Sequence, residues 1–217
     1  MLKRMTLLAR RSDLTFDAFS SHWLGTHGEI VTRMPMVHGY VQNPIGRRLL
    51  EKLNPQDPFS FDGIVELWFA DAQAQKTAFA SAAAKELPVD ELNFIRGITI
   101  FPVEESRQDA GGYPLKVMVA ARFGGGDAEA HITALTRMFA SLPGVRVAAV
   151  NRLGEVGWRD HLWHEPEPPQ LLIELACENT VTLDRLADQA ALSALHASLT
   201  ASGGALECYR VDPRTII

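Results

Sequence analysis

The sequence predicts an α+β fold in which two tandem ferredoxin-like β-α-β-β-α-β domains form an intrachain, pseudo-dimeric α+β barrel. An internal repeat is the first observation, since Pro35 aligns with Pro143 at an offset of 108 residues. Asn43 aligns with Asn151 at the same offset, which is too long for a solenoid unit and typical of a duplicated domain. The second observation is the same order of strand-like and helix-like segments in both halves. The third is the strand Gly63–Phe69, which is apolar on both faces and therefore predicts a sheet covered on both sides.

Domain boundaries follow from the repeat and from a polar connecting segment. We predict a first domain at residues 1–104, a linker at 105–114 and a second domain at 115–217. The connecting segment is polar and contains Gly111 and Gly112, a composition typical of interdomain linkers. A chain of 217 residues is long enough for two domains of about 100 residues each.

The first domain begins with a strand and a long amphipathic helix. Ser12 or Asp13 can cap the N-terminus of this helix by accepting a backbone N–H bond. Pro35 ends it, because a proline in a helix interior removes a hydrogen bond and clashes with the preceding turn. The predicted elements are a strand at Leu2–Ala9, a helix to about Met34, strands at about Met36–Asn43 and Gly63–Phe69, a helix at Asp71–Glu86 and a strand at about Gly97–Val103.

The second domain repeats this order of elements, but several polar and aromatic residues of the first domain have no counterpart in it. Trp23 aligns with His131, and His27 aligns with Leu135 at the same offset. A shared scaffold with a single working site in the first domain is the interpretation that follows. The predicted strands of the second domain are Leu115–Arg122, Val145–Asn151, Gln170–Cys177 and Ala205–Val211, and its predicted helices are Asp127–Leu142 and Thr182–Ala201.

Composition and charge argue against several classes of function. The net charge is −5, so we expect no nucleic-acid partner and no acidic membrane surface as a partner. No apolar run approaches the ~18–20 residues of a membrane span. Cys177 and Cys208 are isolated cysteines on apolar strands, which fits a cytoplasmic protein without a disulfide scaffold.

His27 is the first candidate for catalysis by proton transfer. Helical spacing places it on the apolar face one turn from Trp23, where a histidine needs a partner or lines a cavity. An unperturbed imidazole titrates near pH ~6.5, which suits acid–base chemistry at neutral pH. The alternative is a core histidine that is hydrogen-bonded to a backbone carbonyl.

Tyr40 and Asn43 could hold a carbonyl or enolate oxygen through a hydroxyl and an amide donor. The alternative for Tyr40 is a strand tyrosine that packs by its ring, and the recurrence of Asn43 as Asn151 favours a structural role. Trp23 and Trp68 are expected to supply apolar walls for a bound ligand.

Further polar residues complete the candidate set. His38 shares strand parity with Tyr40, so both side chains are expected on one face of the sheet. Glu66 is a candidate for substrate binding, although its recurrence as Glu174 favours a pair with a scaffold group over a role as the catalytic base. His22 is expected at an exposed helix position without a chemical role.

Residues 158–165 form a second cluster, with two histidines and two carboxylates. Such a set could hold a metal ion, but its spacing matches no specific metal motif, and we predict no metal site. The favoured interpretation is a cap over the barrel or an oligomer contact built on Trp158 and Trp163.

Three segments carry a resemblance to a known family: Phe19-x-x-x-Trp23-x-x-x-His27, Gly39-Tyr40-Val41-Gln42-Asn43 and Phe61-Asp62-Gly63-Ile64-Val65-Glu66-Leu67-Trp68-Phe69. In this order they resemble the EthD family of dimeric α+β barrel proteins, which is named for an ether-degradation operon. That family is similar to methylmuconolactone isomerases and to fungal polyketide dehydratases and decarboxylases. The resemblance covers about Met1–Val103. It implies a cofactor-independent site in the cleft between helices and sheet, with His27 and Tyr40 at its catalytic positions.

The resemblance implies a small-molecule enzyme with isomerase, dehydratase or decarboxylase-like acid–base chemistry on an aromatic, polyketide-like or lactone substrate. One alternative is an accessory oxidoreductase-pathway protein in the degradation of organic compounds, and another is a non-catalytic binder of small apolar ligands. No cofactor is expected, since Gly124-Gly125-Gly126 lacks the spacing of a dinucleotide-binding motif. A homodimer of two-domain chains is an open option that the internal pairing does not require.

Overall fold

A computed structural model describes the backbone of residues 1–217 and every side chain except that of Ala187. No helix among the described residues is both long enough and apolar enough to cross a membrane. The strands are β1 (Leu2–Arg10), β2 (Gly39–Arg48), β3 (Gly63–Phe69), β4 (Ile95–Arg107), β5 (Leu115–Arg122), β6 (Val145–Leu153), β7 (Leu171–Cys177), β8 (Ala205–Val211) and β9 (Arg214–Thr215). The α-helices are α1 (Phe16–His22), α2 (Gly28–Thr32), α3 (Ala72–Ala80), α4 (Leu87–Phe94), α5 (Ala128–Ala140), α6 (Thr180–Ala187) and α7 (Ala190–Ala201).

Eight strands close into an antiparallel barrel with the helices outside it. Neighbouring strands pair in the order β3-β1-β4-β6-β7-β5-β8-β2, and β2 pairs back to β3. Each of these pairings is antiparallel. The short β9 pairs with β2. The predicted α+β barrel within one chain is therefore confirmed at the level of a closed eight-stranded barrel with helices.

Both halves of the chain arrange their strands in the same way. The order is β2-β3-β1-β4 in the first half and β6-β7-β5-β8 in the second. Two seams join the halves, because the C-terminal ends of β4 and β2 extend beyond their own half to pair with β6 and β8. The barrel consequently needs strands from both halves to close.

Side chains alternate between the two faces of each strand, so the barrel has an inner and an outer surface. The inner surfaces meet in one apolar cluster that includes Met5, Ile64, Phe101, Met118 and Tyr209. The outer surfaces pack against the helices in two further clusters, one for each half. Both faces of the sheet are therefore covered, as the apolar strand pattern predicts.

The first helix begins later than the sequence predicts. Thr15 is its N-cap residue, since its hydroxyl accepts the backbone N–H of Ala18 at 3.1 Å. The predicted caps, Ser12 and Asp13, lie before the helix, and the carboxylate of Asp13 accepts hydrogen bonds from Arg11 instead. An ion pair with a neighbouring guanidinium thus replaces the predicted cap.

The largest error in the predicted elements is the omission of α4. The second helical segment was predicted to end at Glu86, yet Pro88 lies in the first turn of α4, where a proline costs no intrahelical hydrogen bond. Strand β4 continues to Arg107, so the connection between the halves is 108–114 and not the predicted 105–114. The final predicted helix is split into α6 and α7, and β9 was not predicted.

In each half, the loop that follows the second strand packs against the other half. Leu49 and Leu50, which follow β2, pack in the outer core of the second half. Leu162, between β6 and β7, packs in the outer core of the first half. The loop that contains Leu162 also forms bridges from Gly157 and Trp163 to β4. Each outer core therefore includes residues of the opposite half.

Replacement of Gly63 is expected to destabilise the first half. A Cβ atom at this position would lie 2.5 Å from Cζ3 of Trp23, so the buried indole would have to move. We expect Gly63→Ala to lower the free energy of unfolding by about 1–3 kcal/mol, as overpacked cores do. Urea unfolding measures this. Gly125→Ala is the control, because a Cβ there meets nothing within 4 Å, and equal stability of the two variants would contradict the packing described.

Candidate functional site

Two histidines share one buried carboxylate on the outer side of the first half. Nδ1 of His27 lies 2.8 Å from Oδ2 of Asp90, and Nε2 of His22 lies 2.8 Å from Oδ1. Asp90 is on α4, and its side chain is buried. The ring of Phe94, one turn further along α4, packs against both imidazoles at centroid distances of 4.9 and 5.0 Å. The cluster is therefore held by polar contacts on one side and aromatic packing on another.

A π-helical turn at Trp23–His27 brings these histidines together. His22 and His27 are five residues apart, and a regular α-helix would point them about 140° away from each other. A turn closed by i→i+5 hydrogen bonds brings residues five apart closer to the same face of the helix. Both imidazoles then face α4. Single π-helical turns occur frequently at functional sites, which directs attention to this segment.

Asp90 is held in its ionised form. Burial acts to raise the pKa of Asp90, but the hydrogen bonds from His27 and His22, together with their charges, outweigh burial and lower that pKa. An ionised carboxylate only accepts, so Nδ1 of His27 is the protonated nitrogen in this contact. Nε2 is then the ring nitrogen of His27 that remains for exchange of a proton with a ligand.

Tyr40 projects from the outer face of β2 with its hydroxyl in a defined setting. The hydroxyl oxygen accepts hydrogen bonds from Nε1 of Trp23 at 3.2 Å and from Nε2 of Gln42 at 2.7 Å. Gln42 also donates to the backbone oxygen of Trp23 at 2.7 Å, which fixes its amide. Burial is the main reason that the pKa of Tyr40 is raised. The phenol therefore stays protonated at neutral pH and can act as a hydrogen-bond donor.

His27 and Tyr40 line the same cavity between the helices and the outer face of the sheet. The cavity is small, with a volume of about 40 Å³. Its walls are mainly apolar and include Val31, Leu67 and Phe94. The polar groups that reach it are Arg4, Thr6, His27, Tyr40, Glu91 and Arg159.

The second half contributes to this cavity through residues 158–165. Arg159 lines the cavity and donates from Nη2 to Oε1 of Glu91 at 3.0 Å. Trp163 packs over Gly97, where a Cβ would lie 2.5 Å from the indole ring. The loop is therefore a cap on the outer side of the first half, which corrects its predicted position over the barrel. Among the described residues, no group of three or more His, Cys, Asp and Glu side chains could hold a metal ion.

Asn43 and Glu66 lie on the inner face of the barrel, across the sheet from the cavity. Nδ2 of Asn43 donates to Oε1 of Glu66 at 2.9 Å. Glu66 pairs with Lys3 at 2.7 Å and with Lys116 at 2.6 Å. The sequence predicted that Asn43 and Glu66 share one substrate site with Tyr40, and this prediction is corrected. Side chains alternate along a strand, and Tyr40 faces outward into the cavity while Asn43 and Glu66 face inward.

The structure also separates His38 and Trp68 from the cavity. His38 is exposed, and its Nδ1 lies 3.2 Å from the backbone oxygen of Met36. Trp68 faces the barrel side, where Nε1 donates to Glu105 at 3.4 Å and Lys3 lies over its ring. Neither residue lines the cavity, whereas Trp23 supports it by holding Tyr40.

Sequence reasoning missed the residues that complete the cluster. His22 was expected to be exposed and inert, but its ring is partly buried against Asp90. Asp90 and Glu91 were not singled out, because α4 was not predicted. The spacing of five between His22 and His27 carried no recognisable signal without the π-helical turn.

A family model described as the EthD domain matches residues 11–97. This segment of the chain is similar to the EthD domain. The match includes both histidines of the cluster, Tyr40 and Asp90, and it ends before the second half begins. Most of the candidate site therefore falls inside the matched segment. The exceptions are Arg4, Thr6 and Leu8 on β1, Ile98 on β4 and Arg159 in the second half.

Solved structures similar to the chain support the fold. An anthrone oxidase-like protein has a TM-score of 0.57 at 14% identity, over 99% of this chain and 93% of that chain. A protein of Fusobacterium nucleatum, described as a candidate monooxygenase, has a TM-score of 0.53 at 9% identity, over 97% of this chain and 91% of that chain. At these identities the likeness extends to the fold alone. No curated protein matches the chain in sequence.

Proposed function

We propose that the EthD domain is a cofactor-independent acid–base enzyme that acts on an aromatic, polyketide-like or lactone substrate in the cavity. One observation carries the proposal: the imidazole of His27 lines an apolar cavity while its Nδ1 is tied to buried Asp90 at 2.8 Å. A carboxylate in this position fixes the tautomer and stabilises the imidazolium that forms when the base takes a proton. Tyr40, with its raised pKa, supplies a hydrogen-bond donor in the same cavity.

In the proposed reaction, Nε2 of His27 removes a proton from a carbon next to a carbonyl group of the substrate. The electron pair of the broken bond moves to the carbonyl oxygen, and the hydroxyl of Tyr40 donates a hydrogen bond to that oxygen. His27 then returns the proton, either to another carbon in an isomerisation or to a departing hydroxyl group in a dehydration. Asp90 stays ionised throughout.

The oxidoreductase alternative has one specific observation in its favour. Two structures with this fold are described as an anthrone oxidase-like protein and a candidate monooxygenase. Removal of a proton from a phenolic or anthrone-like ring by His27 could also be the first step of an oxidation by molecular oxygen. A non-catalytic binder of apolar ligands is the remaining alternative, which the experiment below separates from both enzymes.

We further propose that the chain is a tandem duplication of one ferredoxin-like domain, with the two copies joined by the connection at 108–114. The identical strand order of the two halves and their reciprocal loops support this. We also propose that two such chains form a homodimer. We propose a cytoplasmic location, with which the buried free thiols of Cys177 and Cys208 agree.

The proposed function is tested by proton NMR of the protein with a panel of phenols, anthrones, ketide aldehydes and muconolactones. We expect conversion of at least one compound by the wild type and a loss of at least about 100-fold in rate for His27→Gln. His38→Gln is the control, since that histidine is exposed and outside the cavity. Equal rates for wild type and His27→Gln would contradict the mechanism. Saturable binding without conversion in any variant would instead identify a binding module.

A further inference from the structure

Arg4 is a guanidinium without an acidic partner in the wall of the cavity. It projects from β1 on the same side as the helices, and it lines the cavity with His27 and Tyr40. Its Nε is buried and has no hydrogen-bond partner. Among the described residues, no ion pair within 4.0 Å includes Arg4. Its closest aromatic contact is Phe79, whose ring centroid lies 4.4 Å from the guanidinium carbon.

The nearest carboxylate is already occupied by another arginine. Oε2 of Glu91 lies 2.6 Å from Nε of Arg159, and a second contact joins Oε1 to Nη2. Burial, followed by the charge of Arg159, lowers the pKa of Arg4 to about 10, while Glu91 acts in the opposite direction. Arg4 is therefore still charged at neutral pH. Two guanidiniums and one carboxylate leave this end of the cavity with one uncompensated positive charge.

An unpaired charge in an apolar wall lowers stability, so its presence needs a reason. Two other partly buried arginines have carboxylate partners, since Arg10 pairs with Asp62 and Arg48 with Glu207. A guanidinium offers a planar fork that matches the two oxygens of a carboxylate. The group that would satisfy Arg4 is therefore an anionic oxygen group that is absent from the protein itself.

We propose that Arg4 binds a carboxylate of the ligand, which narrows the substrate class to aromatic, ketide or lactone acids. This inference rests on the proposed function, since it takes the cavity as the ligand site. The substrate then carries two features: an anionic end at Arg4, and a reacting carbon or hydroxyl near Nε2 of His27. Arg4 would also order the ligand, so that only one end of it faces the base.

The test compares binding of 2-naphthoate with binding of 2-naphthamide, an uncharged probe of the same shape, by isothermal titration calorimetry. We expect the wild type to bind the acid about 10-fold or more tightly than the amide, as a charge-assisted hydrogen bond supplies. In Arg4→Met this preference is expected to disappear, with the affinity for the amide unchanged. Arg33→Met is the matched control, because Arg33 is exposed and pairs with Glu86 on the surface.

Thermal unfolding distinguishes a ligand-binding role of Arg4 from a structural role. Removal of an unpaired charge from an apolar wall is expected to leave Tm unchanged or to raise it by up to about 4 °C. A lower Tm of Arg4→Met would indicate a structural residue and overturn the proposal. Failure of 2-naphthoate to bind the wild type, or an acid preference that survives in Arg4→Met, would overturn it as well.

The same probes separate this inference from the proposed function. His27→Gln is expected to keep the preference for 2-naphthoate, since the imidazole takes no part in binding the carboxylate. If His27→Gln converts substrates at the wild-type rate while Arg4→Met loses the acid preference, the catalytic mechanism fails and the role of Arg4 stands. If Arg4→Met keeps the preference while His27→Gln is inactive, the reverse holds.

Discussion

Asp90→Asn is expected to lower kcat by about 1,000- to 10,000-fold while the protein stays folded. The amide nitrogen of an asparagine would donate to Nδ1 of His27 in place of the present contact at 2.8 Å. That contact would trap the imidazole with its proton on Nε2, so the nitrogen that faces the ligand could no longer accept one. The measurement is kcat on a compound identified by the NMR panel, together with circular dichroism to confirm the fold.

Two control variants separate the tautomer effect from a general loss of charge. Asp17→Asn changes an exposed carboxylate on α1 and is expected to leave kcat unchanged. His22→Gln removes the second partner of Asp90. We expect this variant to lower kcat by about 10-fold, since residues that only orient a catalytic group typically contribute about 10- to 100-fold. A kcat of Asp90→Asn within about threefold of wild type would refute the assignment of His27 as the base.

The repeat predicted a barrel closed within one chain, because apolar positions that recur at one offset favour the same elements in both halves. Gly63–Phe69 was predicted with its observed bounds, since it begins at a glycine and its other residues except Glu66 are apolar. His27 and Tyr40 were predicted for the same site, and both line the cavity. These predictions depend on patterns among residues close together in the sequence, which a single sequence is sufficient to show.

The missing parts of the site depend on contacts between distant segments. Asp90 meets His27 across 63 positions of sequence, and Arg159 meets Glu91 across 68. Strand parity places Asn43 opposite to Tyr40, but parity alone does not tell which face meets the helices. The sequence therefore predicted His27 as the base and left its carboxylate partner and the wall of the cavity undetermined.

Glu66→Gln is expected to lower the free energy of unfolding by about 3–5 kcal/mol, the cost of breaking a buried ion pair from one side. Glu66 is fully buried between Lys3 and Lys116 inside the barrel, and the variant leaves both ammonium groups without its charge. Urea unfolding measures the loss. We expect kcat to stay near the wild-type value, since this carboxylate lies across the sheet from the cavity.

The dependence on pH distinguishes this ion pair from packing. Burial acts to raise the pKa of Glu66, but the charges of Lys116 and then Lys3 outweigh it, so the folded-state pKa is lowered below the ordinary 4.5. Its contribution to stability is therefore complete above pH 4.5 and is lost as pH falls through the lowered value. The stability gap between wild type and Glu66→Gln should narrow with acid, whereas Glu86→Gln, in an exposed pair with Arg33, should match wild type throughout. A gap that stays constant down to about pH 2 would mean that Glu66 acts by packing and not by charge.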